Sequence, residues 1–330
     1  MRSLNEPWTL GGHRIPNRVV LAPLAGIGNW FVRLQARRHG AGLAFSEMVS
    51  SFGLKYGDRR TLREFLRIHP DEHPVPIQLF GHDPDVMREA AAVAAEHGAD
   101  VIDLNMGCPV RKVCKTGAGA SLLAEPDRAV ALARAAAGGS GLPVTVKLRS
   151  GQRPGERSGF ELARRLVDEA GVAAISFHPR HASQQHSGDP DYALAAELVE
   201  RLDAPVIVSG GLSSDERALA AFERTGAEAV MLARGSLGNP WRFERLLGLR
   251  DGDPTRAEVV AELRWVIDRA EEHLGVDRAG RYLRKFYPWY AATLGLRRRA
   301  AEPLVTAPTT ADARAFLDRL STGDGAAAAA

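Results

Sequence analysis

Eight short apolar runs recur along the first three quarters of the chain, each closing on glycine, proline or a polar cluster. They are Val19–Leu21, Leu43–Val49, Val75–Phe80, Val101–Leu104, Val144–Leu148, Ala173–Phe177, Val206–Ser209 and Ala229–Ala233. Between them lie Ala-, Leu- and Arg-rich stretches with helical spacing, such as Asp83–His97, Glu125–Ala137, Gly159–Ala170, Tyr192–Leu202 and Ser213–Thr225. Continuous rather than alternating apolar runs belong to strands covered on both faces, and helices between them make the sheet parallel. Eight such units in roughly 250 residues predict an α/β fold, a (β/α)8 TIM barrel. A doubly wound open sheet is the competing arrangement, and no G-x-G-x-x-G follows the first run to support it.

The pattern changes after Leu249. Arg250–Pro254 reads as a linker, and the helical segments Thr255–Leu274, Ala279–Leu294 and Thr310–Leu320 follow. The expected organisation is a catalytic barrel over residues 1–250, a small C-terminal helical domain over 251–320, and a low-complexity, disordered tail over 321–330. With 45% hydrophobic and 25% charged residues the chain has an ordinary globular composition, which excludes wholesale disorder. Two cysteines, Cys108 and Cys114, are too few for a disulfide framework in 330 residues, so a reducing compartment is expected. No apolar leader opens the sequence and no run reaches the ~18 apolar residues of a membrane span. A soluble, cytoplasmic protein without a membrane partner is the expectation.

A (β/α)8 barrel carries its chemistry at the C-terminal ends of its strands. Here those ends hold Pro23-Leu24-Ala25, Glu47, Gln78, Asn105 with Cys108, Lys147 with Arg149, His178 with Arg180, Ser209-Gly210-Gly211 and Ala233-Arg234-Gly235. Glycine turns after the last two strands expose N–H groups, and with Arg234 they suit a phosphate; simple tight turns are the alternative. Lys147, aimed at the mouth, is costly to bury without an anion. It meets a substrate or cofactor anion, forms a Schiff base, or pairs with a neighbouring strand. Gln78 can both donate to and accept from a heterocycle edge. Cys108 lies in an Asn-Met-Gly-Cys-Pro turn that would present its thiol, whereas Cys114 reads as structural. The two cysteines with His178, His181 and His186 match no common zinc spacing, so no metal is expected.

From Val276 to Arg299 seven basic residues face a single acid, Asp277, with Tyr282, Phe286, Tyr287, Trp289 and Tyr290 interleaved. Basic groups neutralise phosphates and aromatics stack on bases. Helix packing by the aromatics beneath a solvated basic face is the competing account.

Together these residues resemble the tRNA-dihydrouridine synthase family of flavoenzymes. The carriers are LAPLAG (21–26), IQLFG (77–81), DLNMGCPVRKVCKTGAGASLL (103–123), VKLRSG (146–151), HPR (178–180), VSGG (208–211) and ARGSLGNPW (233–241), with RYLRKFYPWYAATLG (281–295) beyond. The resemblance implies FMN-dependent reduction of the C5–C6 double bond of uridine in tRNA, with NADPH, or NADH, as the reductant. It implies that Pro23, Leu24 and Ala25 lie along the flavin, and that Gln78 and Lys147 contact its ring with His178 nearby. Ser209, Gly210, Gly211, Ala233, Arg234 and Gly235 would hold its phosphate. Asn105 and Arg180 would face the uracil, Cys108 would donate the proton, and Arg284 and Lys285 would grip tRNA. No stable protein partner is implied. The chain departs from the family's usual pattern at His181, at the following SQQHSGDPDY, at Leu24 and at Gly28-Asn29. An FMN barrel reducing a small enone or pyrimidine, and a non-catalytic tRNA-binding chaperone, are the competing functions.

Overall fold

The computed structural model describes residues 2–321. A hairpin of β1 (Trp8–Leu10) and β2 (His13–Ile15) comes first. Nine further strands form one parallel sheet: β3 (Val19–Leu21), β4 (Leu43–Ala44), β5 (Val49–Ser50), β6 (Pro76–Phe80), β7 (Val101–Met106), β8 (Val144–Arg149), β9 (Ala174–His178), β10 (Val206–Ser209) and β11 (Ala229–Leu232). Their spatial order is β4-β3-β11-β10-β9-β8-β7-β6-β5.

The two ends of that order belong to one strand. The sequence predicts a single run over Leu43–Val49, and the structure splits it, pairing β4 with β3 and β5 with β6. Between the halves, the Phe45 N–H donates to the Leu21 carbonyl at 3.1 Å and the Ser46 N–H to the Pro76 carbonyl at 3.0 Å. Neighbouring residues thus bond to opposite sides, the segment bridges the gap, and eight staves close into the expected (β/α)8 barrel. Closure leaves no sheet edge to defend.

Val20, Leu43, Phe45, Val101, Ala174, Ile207, Ala229 and Met231 fill the lower interior. Trp8, Leu10 and Ile15 of the hairpin join the same cluster. The hairpin is absent from the sequence reading because three-residue strands carry too little periodicity. Gly11, in the left-handed region at φ 53°, makes its turn, and a Cβ there would lie 2.2 Å from the Pro143 side chain.

The helices over the outer face begin and end on local signals. α1 (Trp30–Arg38) follows β3, and the short α2 (Ser51–Lys55) follows β5. For α3 (Pro84–Glu96), Asp83 caps the N-terminus and Pro84 occupies the first turn. After the short α4 (Arg111–Cys114) come α5 (Pro126–Ser140), α6 (Ser158–Ala170), α7 (Tyr192–Arg201) and α8 (Asp215–Thr225). Left-handed glycines Gly141, Gly171 and Gly226 stop α5, α6 and α8.

Among the described residues one compact unit ends at Arg234 and a second begins at Gly235. The change of composition suggests a division at 250/251, but Arg250 pairs with both Glu244 and Glu258, and Arg245 with Asp253. These ion pairs tie α9 (Trp241–Leu246) to α10 (Arg256–Leu274) across the expected linker. The expected helix over Ala279–Leu294 is two, α11 (Val276–Leu283) and α12 (Tyr287–Thr293), because Pro288 has no N–H to continue a ladder and sits in the first turn of the second. α13 (Arg298–Val305) and α14 (Thr310–Ser321) complete the unit. Ser321, assigned to the tail from sequence, closes α14; the rest of the expected tail lies outside the described residues. Phe286, Tyr287 and Tyr290 are buried in this unit, so packing, rather than base stacking, accounts for them.

One buried ion pair braces the loops above β3 and before β6. The Arg33 Nε donates to Glu72 Oε2 at 2.6 Å, its Nη1 to the Gly28 carbonyl at 3.2 Å and its Nη2 to the Arg67 carbonyl at 2.8 Å. Both side chains are 1% exposed. Burial pushes the Glu72 carboxyl upward, and Arg33 opposes that rise. Removing one partner strands the other charge. Arg33→Met should therefore cost about 3–5 kcal/mol in urea denaturation, with Arg33→Met/Glu72→Met recovering much of it; equal losses in the single and double variants would contradict this.

Candidate active site

Above the apolar layers, the C-terminal mouth of the barrel holds a cavity. Gln78, Asn105, Cys108, Lys147 and His178 line it, with Pro23 and Ala25 contributing from the loop after β3. Five different strand ends thus deliver their expected side chains to one place.

The strand register explains the convergence. Gln78 stands beside Asp103, Asp103 beside Thr145, and Asn105 beside Lys147. Alternate residues share a face, so Asp103 and Asn105 enter the interior together, as do Thr145, Lys147 and Arg149. Asp103 is fully buried and accepts from Thr145 Oγ1 and from Gln78 Nε2, both at 2.6 Å. Burial raises its carboxyl to about 6, against the pull of those two donors and of Lys147. Gln78, 1% exposed, accepts through Oε1 from Asn105 Nδ2 at 2.9 Å. Asn105 Oδ1 in turn accepts the N–H groups of Gly107, at 3.3 Å, and Cys108, at 3.0 Å.

That last pair of bonds shapes the Cys108 turn. Its carbonyl accepts from the Ala120 N–H at 3.0 Å and from Cys114 Sγ at 3.3 Å. A Cβ on Gly119 would come within 2.7 Å of the same carbonyl oxygen, so the block after Cys108 needs glycine there. Cys114, read as structural from the sequence, turns its Sγ to that carbonyl. Cys108 is half-buried, and burial pushes its thiol upward, so it stays protonated at neutral pH.

Lys147 reaches the cavity with a neutral hydrogen-bond partner, Ser209 Oγ at 3.3 Å. Burial, then repulsion from Arg149, lowers its ammonium to about 8, opposed by Asp103. His178 is held neutral by burial and by the surrounding cations Lys147, Arg149 and Arg180. Gly210 has φ 93°, and a Cβ on it would lie 2.3 Å from the His178 ring; Gly211, at φ 74°, backs onto Pro190 and Tyr192. Both turns therefore need glycine. Ala233 is half-buried and Arg234 exposed at the end of the first unit, while Gly235 opens the second.

Two expectations shift. Arg180 is not among the residues lining the Cys108 cavity: its Nη1 bonds His178 Nε2 at 3.2 Å, its Nη2 donates to the Gly188 carbonyl at 2.5 Å, and it borders a neighbouring cavity. Proline at 179 turns the chain after His178, carrying Arg180 behind the imidazole. Leu24 is buried beside the mouth rather than lining it. Conversely, Met48 and Arg149 line the cavity without an assigned role from sequence. Arg149 Nε donates to the Gly107 carbonyl at 3.0 Å and Nη1 to the Gln185 carbonyl at 2.8 Å, and burial lowers its guanidinium to about 10. Its spacing of two from Lys147 on one strand was the available signal. Glu47 Oε2 accepts the Gly26 N–H at 2.6 Å, which fixes the loop of Pro23 and Ala25. Arg284 and Lys285 are exposed on the second unit, Lys285 lying 4.5 Å over the Tyr282 ring.

The depressed Lys147 has a sign that can be measured. A base with a lowered folded pKa opposes folding below that value and releases the penalty as pH rises toward the ordinary 10.5. Lys147→Met should thus raise the stability of flavin-free protein near neutral pH by about 1–3 kcal/mol, tempered by the residue's access to the cavity. It should also abolish the gain in stability between about pH 8 and 10.5. An unchanged pH–stability profile would contradict the assignment.

A sequence model of the dihydrouridine synthase family, described as "Dihydrouridine synthase (Dus)", matches residues 20–317. The chain is 34% identical to the tRNA-dihydrouridine synthase B of Pseudomonas aeruginosa over 97% of its own length and 98% of the relative's. It is 36% identical to a probable tRNA-dihydrouridine synthase 1 of Synechocystis, covering 86% and 81% of the two chains. Among solved structures, the old yellow enzyme homologue of Zymomonas mobilis superposes with a TM-score of 0.59 at 16% identity, over 78% of this chain and 96% of that one. A morphinone reductase in complex with tetrahydroNAD gives 0.54 at 17% identity, over 78% and 94%. At such identities the structures speak for the shared barrel alone. With nearly the whole chain matched by the family model, and relatives above 30% identity over 81–98% of their length, the chain belongs to the dihydrouridine synthase family.

Proposed function

We propose that this chain is a flavin-dependent tRNA-dihydrouridine synthase that reduces the C5–C6 double bond of uridine in tRNA. The observation that carries the reading is the convergence of a neutral thiol, an ammonium with a neutral hydroxyl partner, a neutral imidazole and an amide pair on one cavity. FMN, re-reduced by NADPH, supplies the hydride for C6 when bound there. The residues fit that group. Lys147 lacks an anion within its hydrogen bonds and would meet the electron-rich edge of the ring, while Gln78 retains one N–H beyond its bond to Asp103. The close packing of Gly210 against the His178 ring and of Gly211 against Pro190 and Tyr192 fixes the turn after Ser209, and backbone N–H groups there, with Ala233 and the Arg234 guanidinium, would take the phosphate.

The protein's own chemistry is proton delivery. Addition of hydride at C6 leaves carbanion character at C5, which needs an acid within hydrogen-bond reach. A thiol held above its ordinary range is still protonated at pH 7, where an exposed carboxyl would have ionised. Cys108 gives its proton to C5 and regains one from solvent. Asn105 also lines the cavity and would face the uracil there, its amide held by Gln78 and by the Gly107 and Cys108 N–H groups. A uridine in folded tRNA must leave its stack to reach a barrel mouth. Exposed Arg281, Arg284, Lys285, Arg297, Arg298 and Arg299 on the second unit suit the phosphates of that RNA. Among the described residues no helix is long and apolar enough to cross a membrane; tRNA as substrate is what favours a cytoplasmic enzyme.

Mapping dihydrouridine position by position in tRNA from cells lacking the gene, then restoring wild type or Cys108→Ala, tests the function. One position should lose its modification and only wild type restore it, while purified Cys108→Ala keeps its flavin spectrum. Normal turnover by Cys108→Ala would remove the thiol from the mechanism. Arg284→Glu/Lys285→Glu should weaken tRNA binding about tenfold near ~0.1 M salt and flatten the salt dependence by about two ions. Unchanged affinity would make that surface a solvated face only.

A further inference from the structure

Asp103 is not itself among the residues lining the cavity, yet a continuous chain of hydrogen bonds joins it to the turn that carries the Cys108 thiol. An ionised carboxylate is acceptor-only. It therefore dictates which end of the Gln78 amide faces it: the NH2 must point to Asp103, which turns Oε1 toward Asn105. Asn105 must then answer with its own NH2, which leaves Oδ1 for the N–H groups of Gly107 and Cys108. Each amide has two orientations, and the carboxylate at the head of the series selects one for both. The Gln78 N–H, donating to Ser46 Oγ at 2.8 Å, and Thr145 Oγ1, on the far carboxylate oxygen, pin the head of the chain in place.

We propose that Asp103 is a positioning residue for the proton donor: through the amides of Gln78 and Asn105 it sets the orientation of the Cys108 turn. This rests on the reading of Cys108 as the acid. Every link is buried or half-buried, so water does not readily replace a lost one. The relay joins a carboxylate in the barrel interior, costly to bury without donors, to the backbone N–H groups of the turn that presents the thiol at the mouth.

The relay predicts a specific inequality between two replacements of Asp103. In Asp103→Asn the side-chain oxygen can still accept from Gln78 while its NH2 donates to the Thr145 hydroxyl, which is free to reverse. The polarity of both amides survives. In Asp103→Ala the head of the chain no longer selects it: the Gln78 NH2 loses its buried acceptor, and the two backbone N–H groups at the far end are left to hold the amides alone. With flavin-loaded, full-length protein, Asp103→Ala should lower kcat at saturating tRNA by about tenfold or more with KM for tRNA little changed. Alkylation of Cys108 by iodoacetamide near pH 8, in a Cys114→Ser background, should quicken by about threefold as the turn loosens and the thiol gains water. Asp103→Asn should stay within about threefold of wild type on both measures. If Asp103→Ala does not fold, Gln78→Leu cuts the same chain one link nearer the thiol and should give the same faster alkylation.

Wild-type alkylation in both Asp103→Ala and Gln78→Leu, or an Asp103→Asn variant as impaired as Asp103→Ala, would overturn the relay. Normal turnover by Cys108→Ala would instead overturn the acid assignment, and alkylation, which needs no turnover, would still judge the relay by itself.

Discussion

A closed barrel has an inside that must be filled, and everything distinctive about this protein follows from how the upper part is filled with polar groups. The lower layers are apolar and capped by the hairpin, so they ask nothing of water. Above them a carboxylate, an ammonium, an imidazole and two amides share a space from which bulk solvent is largely excluded. Such groups are tolerated only with partners. The register of β6, β7 and β8 supplies them by setting Gln78, Asp103 and Thr145 side by side.

The same constraint separates structural from chemical groups. Asp103, Gln78 and Asn105 satisfy one another, and Arg149 and Arg180 spend their donors on backbone carbonyls and on His178. Lys147 does not reach an anion in this way, and Cys108 keeps its thiol at the mouth. The Lys147 ammonium meets a neutral hydroxyl, so it carries a burial penalty that an anion in the cavity would relieve.

The loops repeat the theme at larger scale. The split between β4 and β5 frees Glu47 to hold the Gly26 N–H and brings Met48 to the cavity, while the Arg33–Glu72 pair fixes the base of the neighbouring loops. Pro23 and Ala25 are thereby presented from a braced segment, which a site needing sub-ångström placement requires.

Local pattern alone carried most of the architecture. All eight strand runs are found at or within a few residues of their predicted places, because a strand covered on both faces leaves a continuous apolar signature. The block around Cys108 likewise named the thiol, and the glycines at Gly119 and Gly210 are legible as turns whose close neighbours only coordinates reveal. What sequence could not decide is which face each polar side chain takes and whom it meets. Arg180 lies one residue beyond a proline and bonds His178, Arg149 enters the mouth by strand alternation, and three of the interleaved aromatics of the helical unit, Phe286, Tyr287 and Tyr290, turn inward. Asp103 looked like the first letter of a motif, and only the pairing of three strands distant in sequence makes it the anchor of the amide chain. Residue types and spacing are fixed along the chain, so the sequence determined the fold and the inventory of the site; hydrogen bonds run across the barrel, so their partners were decided by tertiary structure.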